Sequence, residues 1–318
     1  MTGYDRGVVD DLDRAIVGRR AEIEVVVAAL AAERHVLLEG PPGTGKSTLL
    51  RALAEAAGVE LVFVEGNAEL TPARLIGSFD PARVLAEGYS PEVFLEGPLA
   101  EALRTGALLY VEEINRVPEE TLNVVITAMS ERELHVPRLG RVVAEPGFRL
   151  VAAMNPFDAV GTARISSAVY DRVCRVAMGY QDGAEETEIV RREAPGAGAG
   201  PVGARAVAVV RATREHPDVR VGSSVRGAID LALLADRLSE LRGVAPTDEA
   251  VGLDAALAAL SGRVRVREGT GRTAEDVVRE LWAAHAPSLD DEPAEGPADG
   301  SGGPDDEAPG AAPPPGKA

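Results

Sequence analysis

The chain predicts an α/β fold, a parallel sheet between helices followed by a smaller helical region, and three observations carry this reading. Short apolar runs alternate with helical patterns from Ala15 to about Tyr180. A glycine-rich segment, Gly40–Thr48, lies between one such run and a helical pattern. Beyond Glu185 the β runs fade and amphipathic helices take over.

The strand candidates are Val36–Leu38, Leu61–Val64, Ala107–Val111, Leu150–Ala153 and Arg175–Ala177. Their nearly continuous apolar character is what strands covered on both faces require. Helices are predicted over Glu185–Glu193, Ala204–Glu215, Ser224–Leu241, Asp248–Leu260 and Thr273–His285. The Gly/Ala/Pro stretch Ala194–Pro201 between two of them reads as a flexible loop. From Pro287 to Ala318, Pro, Gly, Ala, Asp and Glu leave too little apolar surface to fold, so this segment reads as a disordered acidic tail. The expected division is residues 1–182 for an α/β nucleotide-binding domain, 183–286 for an all-helical lid and 287–318 for the tail.

Composition narrows the function. With 318 residues and 45% hydrophobic content the chain can bury a sizeable core. A formal net charge of −18 argues against a nucleic-acid-binding surface, although part of it lies in Asp290–Glu292 and Asp305–Glu307. No apolar run approaches the ~20 residues that span a bilayer, and Met1–Arg6 lacks the features of a signal peptide, so the expected location is cytoplasmic. The single cysteine, Cys174, excludes an internal disulfide and a cysteine-based metal cluster, and four scattered histidines offer no zinc spacing.

The segment Gly40-Pro41-Pro42-Gly43-Thr44-Gly45-Lys46-Ser47-Thr48 has the G-x-x-x-x-G-K-[ST] form of a phosphate-binding loop. Lys46 is the only lysine before residue 317, in a chain whose positive charge is otherwise arginine. A compact ammonium on a flexible stem can reach between the outer phosphates while backbone N–H groups wrap them, and Ser47 can place its hydroxyl on Mg²⁺. The context agrees: His35–Glu39 reads as a buried strand and Thr48–Ala57 as a helix ended by Gly58, which aims a helix N-terminus at the anion.

A second strand, Ala107–Val111, ends in Glu112 and Glu113, where α/β sheets place their chemistry. Such an ending matches the Walker B pattern, in which the first acid holds Mg²⁺ through water and the second activates the attacking water. Glutamate stands at the first position, where aspartate is usual, so the metal must be held differently or the backbone must retreat. Without the phosphate loop the same pair would read as a solvated turn. Asn155, at the tip of the next strand, can hydrogen-bond the water or the γ-phosphate; an asparagine before proline is otherwise a common turn former.

Taken together these residues resemble the AAA+ ATPases, and within them the MoxR family, near the magnesium-chelatase and gas-vesicle ATPases. The resemblance covers roughly residues 12–285 and rests further on Glu112-Glu-Ile-Asn-Arg116, Leu122–Glu133, Leu75-Ile-Gly77 and Phe94–Leu99. It implies a P-loop NTPase core with a helical lid, ATP and Mg²⁺ as ligands, a homo-oligomeric ring, expected as a hexamer, and a chaperone-like remodelling role. Asn155 matches the first sensor, Arg226 of Gly222-Ser-Ser-Val-Arg226 the second sensor on a serine-capped lid helix, and Ile16-Val17-Gly18-Arg19, with Val17 and Gly18 as its backbone contacts, the segment that covers adenine, where a plain helix boundary around Gly18 stays open as the other reading. Arg172 matches the arginine finger projected into a neighbour's site, with Arg164 as the weaker candidate. The hairpin expected over Leu134–Val143, and the Gly66–Gly97 region, are by resemblance the elements facing a pore or client. Family partners carry von Willebrand factor A domains.

The functional expectation is therefore an ATPase that remodels a partner protein or assists metal or cofactor insertion. A nucleotide-dependent binding switch with negligible turnover remains open beside it, as does a small-molecule kinase on the same loop, which would leave Arg172 and Arg226 without a shared reason.

Overall fold

The computed structural model describes residues 3–156 and 166–286. Two helices open the chain, α1 (Arg6–Ala15), whose first turn is capped by the Asp5 carboxylate accepting from the Val8 N–H, and α2 (Arg20–Ala31). Then follow β1 (His35–Glu39), α3 (Lys46–Ala57), which Gly58 ends in a left-handed conformation, and β2 (Leu61–Glu65). An inserted region holds α4 (Pro72–Ile76), β3 (Gly77–Phe79), α5 (Pro81–Glu87), β4 (Phe94–Glu96) and α6 (Pro98–Thr105). The core resumes with β5 (Leu108–Glu112) and α7 (Glu119–Glu131), turns back through the hairpin β6 (Glu133–Val136) and β7 (Gly140–Val143), and continues with β8 (Arg149–Met154), α8 (Ser167–Tyr170) and β9 (Val173–Ala177).

Strands β1, β2, β5, β8 and β9 form one sheet in the order β2-β5-β8-β1-β9, and every pairing is parallel. Alternate side chains go to opposite faces. Leu37, Leu109, Leu150 and Ala152 pack on one side with Leu99, Leu103 and Val125. Val36, Leu38, Tyr110, Val151 and Ala153 pack on the other with Leu12, Ile23, Leu30 and Leu53. Burial on both faces is why the central strands β1, β5 and β8 read as unbroken apolar runs, whereas the edge strands β2 and β9, expected to be covered on both faces, expose alternate residues.

After β9 come α9 (Gly183–Glu193), α10 (Pro201–Glu215), β10 (Val219–Val221), α11 (Val225–Arg242), α12 (Glu249–Leu260), β11 (Arg265–Val266) and α13 (Ala274–Ala284). The five helices match the five expected. A short antiparallel pair, β10 with β11, accompanies them, so the region is helical with one ribbon. It has a core of its own, running from Val190 through Val209, Leu231 and Val251 to Trp282. The Ala194–Pro201 stretch, read as a flexible loop, is a packed turn instead: Ala194 is buried, the Gly198 N–H donates to its carbonyl at 2.7 Å, and a methyl on Gly198 would sit 2.3 Å from the Val190 carbonyl oxygen. Residues 3–285 belong to one compact unit. The tail over 287–318, and Arg164, lie outside the described residues.

Candidate functional site

Parallel strands deliver their loops to one edge of the sheet, and the C-terminal ends of β1, β5 and β8 meet there. The loop after β1 starts at Gly40, whose N–H donates to the Met154 carbonyl at 3.1 Å. Only glycine fits at this point, since a methyl would come within 2.1 Å of the Met178 carbonyl oxygen beyond β9. Gly43 and Gly45 take positive φ (78° and 85°), which lets the chain curl into the N-terminus of α3. Space above Gly45 is open, whereas a methyl on Gly43 would meet the Ser224 hydroxyl at 2.2 Å. The Thr44 hydroxyl closes the loop from within by donating to the Pro41 carbonyl at 3.0 Å.

Lys46 turns its ammonium back over this loop, donating to the carbonyls of Gly40 (2.7 Å) and Pro41 (2.9 Å). Burial pulls its pKa down to about 8; Glu112 and Glu113 oppose that shift, while Arg226 and Arg19 add to it. Three of those charges are predicted residues that converge here: Glu112 at the end of β5, Glu113 just after it and the lid arginine lie within electrostatic reach of the lysine. Arg226 occupies the first turn of α11 and is exposed.

Ser47 donates to a Glu112 carboxylate oxygen at 2.5 Å, and its Oγ lies 3.1 Å from the Tyr110 hydroxyl. A hydroxyl beside a carboxylate is the oxygen donor set that suits Mg²⁺ with retained water, and an open, helix-terminated glycine loop with a desolvated cation suits a nucleotide's phosphates. The residues present therefore fit both groups. Glu113 follows in a left-handed conformation (φ 52°), and its carboxylate pairs with Arg116 at 2.9 Å. Gly66 supports the acid pair from β2: its N–H donates to the Glu112 carbonyl at 2.7 Å, and a methyl there would strike the Glu113 carbonyl oxygen. Asn155 directly follows β8 at this edge.

One expectation needs amendment. Ser224 stands at the N-cap of α11, but its hydroxyl makes no capping bond; it faces Gly43 of the phosphate loop instead, and the Ser223 hydroxyl donates to the Ser224 carbonyl. Serine here joins the lid to the loop rather than capping a helix. Val17 and Gly18 lie beside the linker to the lid, with Gln181 donating to the Val17 carbonyl and Glu185 packed against Gly18.

Arg172 lies elsewhere. It precedes β9, whose register pairs Val173 with His35, the first residue of β1. It is thus at the opposite end of the sheet from the phosphate loop, about 16 Å away along a five-residue strand. Its guanidinium donates to the Ser130 hydroxyl (2.5 Å) and the Ala168 carbonyl (2.9 Å), beside a cavity of about 670 Å³ that Arg34, Arg132 and Cys174 also line.

One site residue escaped the sequence reading, and another, Arg19, is named there only as the end of the adenine-covering segment, without its contacts. Arg19, only 3% exposed, donates to the Thr44 carbonyl (3.1 Å) and the Gly179 carbonyl (2.6 Å) and pairs with Glu22, tying the phosphate loop to the exit of β9. Nothing in its local sequence signals contacts 25 and 160 residues away. Tyr110 could have been found, because it precedes Glu112 by two residues and shares its strand face.

Residues 35–173 match the AAA domain, dynein-related subfamily. The chain is 30% identical over 250 residues to the uncharacterized protein YeaC of Bacillus subtilis, a match covering 70% of this chain and 75% of that one. It is 35% identical over 152 residues to the uncharacterized protein SAB1265c of Staphylococcus aureus, covering 47% of this chain and 57% of the relative. Among solved structures, a point mutant of Thermotoga maritima RuvB superposes with a TM-score of 0.54 at 18% identity, over 78% of this chain and 72% of that one. Another Thermotoga maritima RuvB structure, described as a Holliday junction branch migration motor, gives 0.52 at 17% identity, over 78% and 71%; at such identity the likeness is one of fold. The chain belongs to the family of Bacillus subtilis YeaC, and its glycine-rich loop and paired acids fall within the segment, residues 35–173, that is similar to the AAA domain of the dynein-related subfamily.

Proposed function

We propose that this chain is a Mg²⁺-dependent ATPase of the MoxR type, a cytoplasmic protein that works as a ring, most simply a hexamer, and remodels a partner protein or assists metal or cofactor insertion. The observation that carries the reading is the convergence of Lys46, Ser47, Glu112, Glu113 and Arg226 at one sheet edge while Arg172 sits at the other. A protomer so arranged has a phosphate cradle without its arginine, and an arginine without its phosphate, which two adjacent copies would complete.

In this mechanism Gly40–Thr48 bind the phosphates through backbone N–H groups, and Lys46 leaves its carbonyl partners for the outer phosphates. Ser47 and Glu112 would hold Mg²⁺, which when bound would offset the negative charge that develops on phosphoryl transfer. Glu113 accepts the proton of the attacking water, Asn155 orients that water, Arg226 reports the γ-phosphate from the lid, and Arg172 reaches the neighbour's γ-phosphate. Val17 and Gly18 cover the adenine. The domain boundaries assigned to this reading are 1–182, 183–286 and 287–318, the last as an acidic tail outside the catalytic unit. The partner is assigned to the von Willebrand factor A class on the MoxR resemblance alone. Branch migration on DNA is not carried over from RuvB, because a net charge of −18 disfavours a phosphate backbone.

A second reading, a slow-turnover switch that docks a client in its ATP form, is favoured by one observation: the Glu113 carboxylate is paired with Arg116. ATP turnover measured against protein concentration, with light scattering on the same samples, separates the two. Specific activity that rises with assembly, and a Glu113→Gln variant that binds ATP but loses about a thousandfold or more of turnover, is the result expected of the ATPase. Tight binding without turnover at any concentration points to the switch.

A further inference from the structure

The substitution of glutamate for aspartate at position 112 has a structural counterpart two residues earlier. Tyr110 is fully buried in β5, its ring held 5.5 Å from that of Phe63, and its hydroxyl emerges beside Ser47 at 3.1 Å. A serine hydroxyl has one proton and two lone pairs. The proton of Ser47 goes to the Glu112 carboxylate, which can only accept, so the phenol is the group left to donate, and it lies within hydrogen-bonding reach of both the Ser47 hydroxyl and the same carboxylate. Ser47 is thereby flanked from two sides, with a lone pair left for a metal.

We infer that Tyr110 is a positioning residue for the metal site: it fixes the Ser47 hydroxyl and the longer Glu112 side chain in the geometry that receives Mg²⁺. This rests on the proposed reading that Ser47 and Glu112 hold the metal. The physical case is that both partners need restraint. Glutamate has one more rotatable bond than aspartate, and a half-buried serine at the first turn of α3 can rotate to other acceptors. A phenol locked by packing removes both freedoms at once, as outer partners of metal ligands generally do. The alternative, that the hydroxyl is a core tyrosine's incidental contact, predicts no effect on metal affinity.

The test is equilibrium binding of ATP to the full chain in EDTA, followed by Mg²⁺ titration, for wild type, Tyr110→Phe and Ser47→Ala, with melting curves for each. Tyr110→Phe deletes one oxygen and keeps the ring, so metal-free ATP affinity and melting should stay near wild type while the Mg²⁺ midpoint rises about tenfold. A midpoint for Tyr110→Phe within twofold of wild type, with Ser47→Ala shifted, overturns the role of Tyr110 and leaves the metal site standing. Wild-type ATP binding that Mg²⁺ does not change overturns both.

Discussion

Lys46 illustrates how one side chain's surroundings set a measurable property of the whole site. Burial disfavours its charged form and brings the pKa to about 8, while a bound phosphate favours that charged form. The sign follows: below about pH 8 the lysine is already an ammonium and binding needs no proton, whereas above it binding must take one up. ATP affinity should therefore be flat toward neutral pH and weaken with rising pH beyond about 8, by up to about tenfold per unit. Dissociation constants at pH 7, 8 and 9 in EDTA would show it, the metal being left out so that no metal–phosphate equilibrium overlies the lysine's titration. Affinity unchanged across that range would mean that Lys46 is not the cation the phosphates meet. His35 is shifted for the same physical reason, burial holding its pKa near 4, but its ring is committed to the fold: Nδ1 accepts from the Leu150 N–H at 2.9 Å, which bonds β1 to β8 far from the phosphate loop.

At the scale of elements, helix packing in the lid turns on a single glycine. Gly252 of α12 lies against Trp282 of α13, and a methyl at that position would come within 2.3 Å of the indole ring. The ring cannot easily move, since the Arg205 guanidinium stacks 3.6 Å from its centre, donates to the Trp282 carbonyl and is bound in turn by Glu249. Two effects compete in Gly252→Ala: better helix propensity favours it by about 1 kcal/mol, and overpacking opposes it by about 1–3 kcal/mol. With the tryptophan clamped, overpacking should win, and the variant should melt earlier; a stabilised Gly252→Ala would show that the contact can relax. The helices themselves were readable from their periodicity, and so were the five strands, because local apolar pattern determines both. What the pattern could not reveal is how elements meet. Gly252 against Trp282, Arg19 against Thr44 and Arg214 stacked 3.9 Å from the Tyr180 ring all join residues distant in the chain. The ribbon of β10 and β11 escaped for a different reason, since strands of three and two residues carry too little periodicity to register. Motif spacing, by contrast, singled out Lys46, Ser47, Glu112 and Glu113, which the structure brings near one another, because each motif is local in sequence even though the two meet across the sheet.

For the molecule as a whole, the separation of Arg172 from the phosphate loop is the feature with the strongest consequence. Both are fixed to the parallel sheet, one before β9 and the other after β1, so a hinge in the lid cannot bring them together within one protomer. If Arg172 acts in catalysis, it must act on another copy, and loss of either half should be correctable by mixing. Arg172→Ala keeps an intact phosphate loop and lacks the arginine; Lys46→Ala keeps the arginine and lacks the loop's cation. Each alone should be nearly inactive, with the arginine contribution at about a thousandfold. In a mixed ring, some interfaces pair the intact loop of the first with the intact arginine of the second, and turnover should return to a fraction of wild type. Turnover measured across mixing ratios should pass through a maximum near equal amounts, since only unlike neighbours form a complete site. Mixtures that co-assemble by light scattering yet stay inactive at every ratio would remove Arg172 from the reaction and leave its bonds to Ser130 and Ala168 as its whole role.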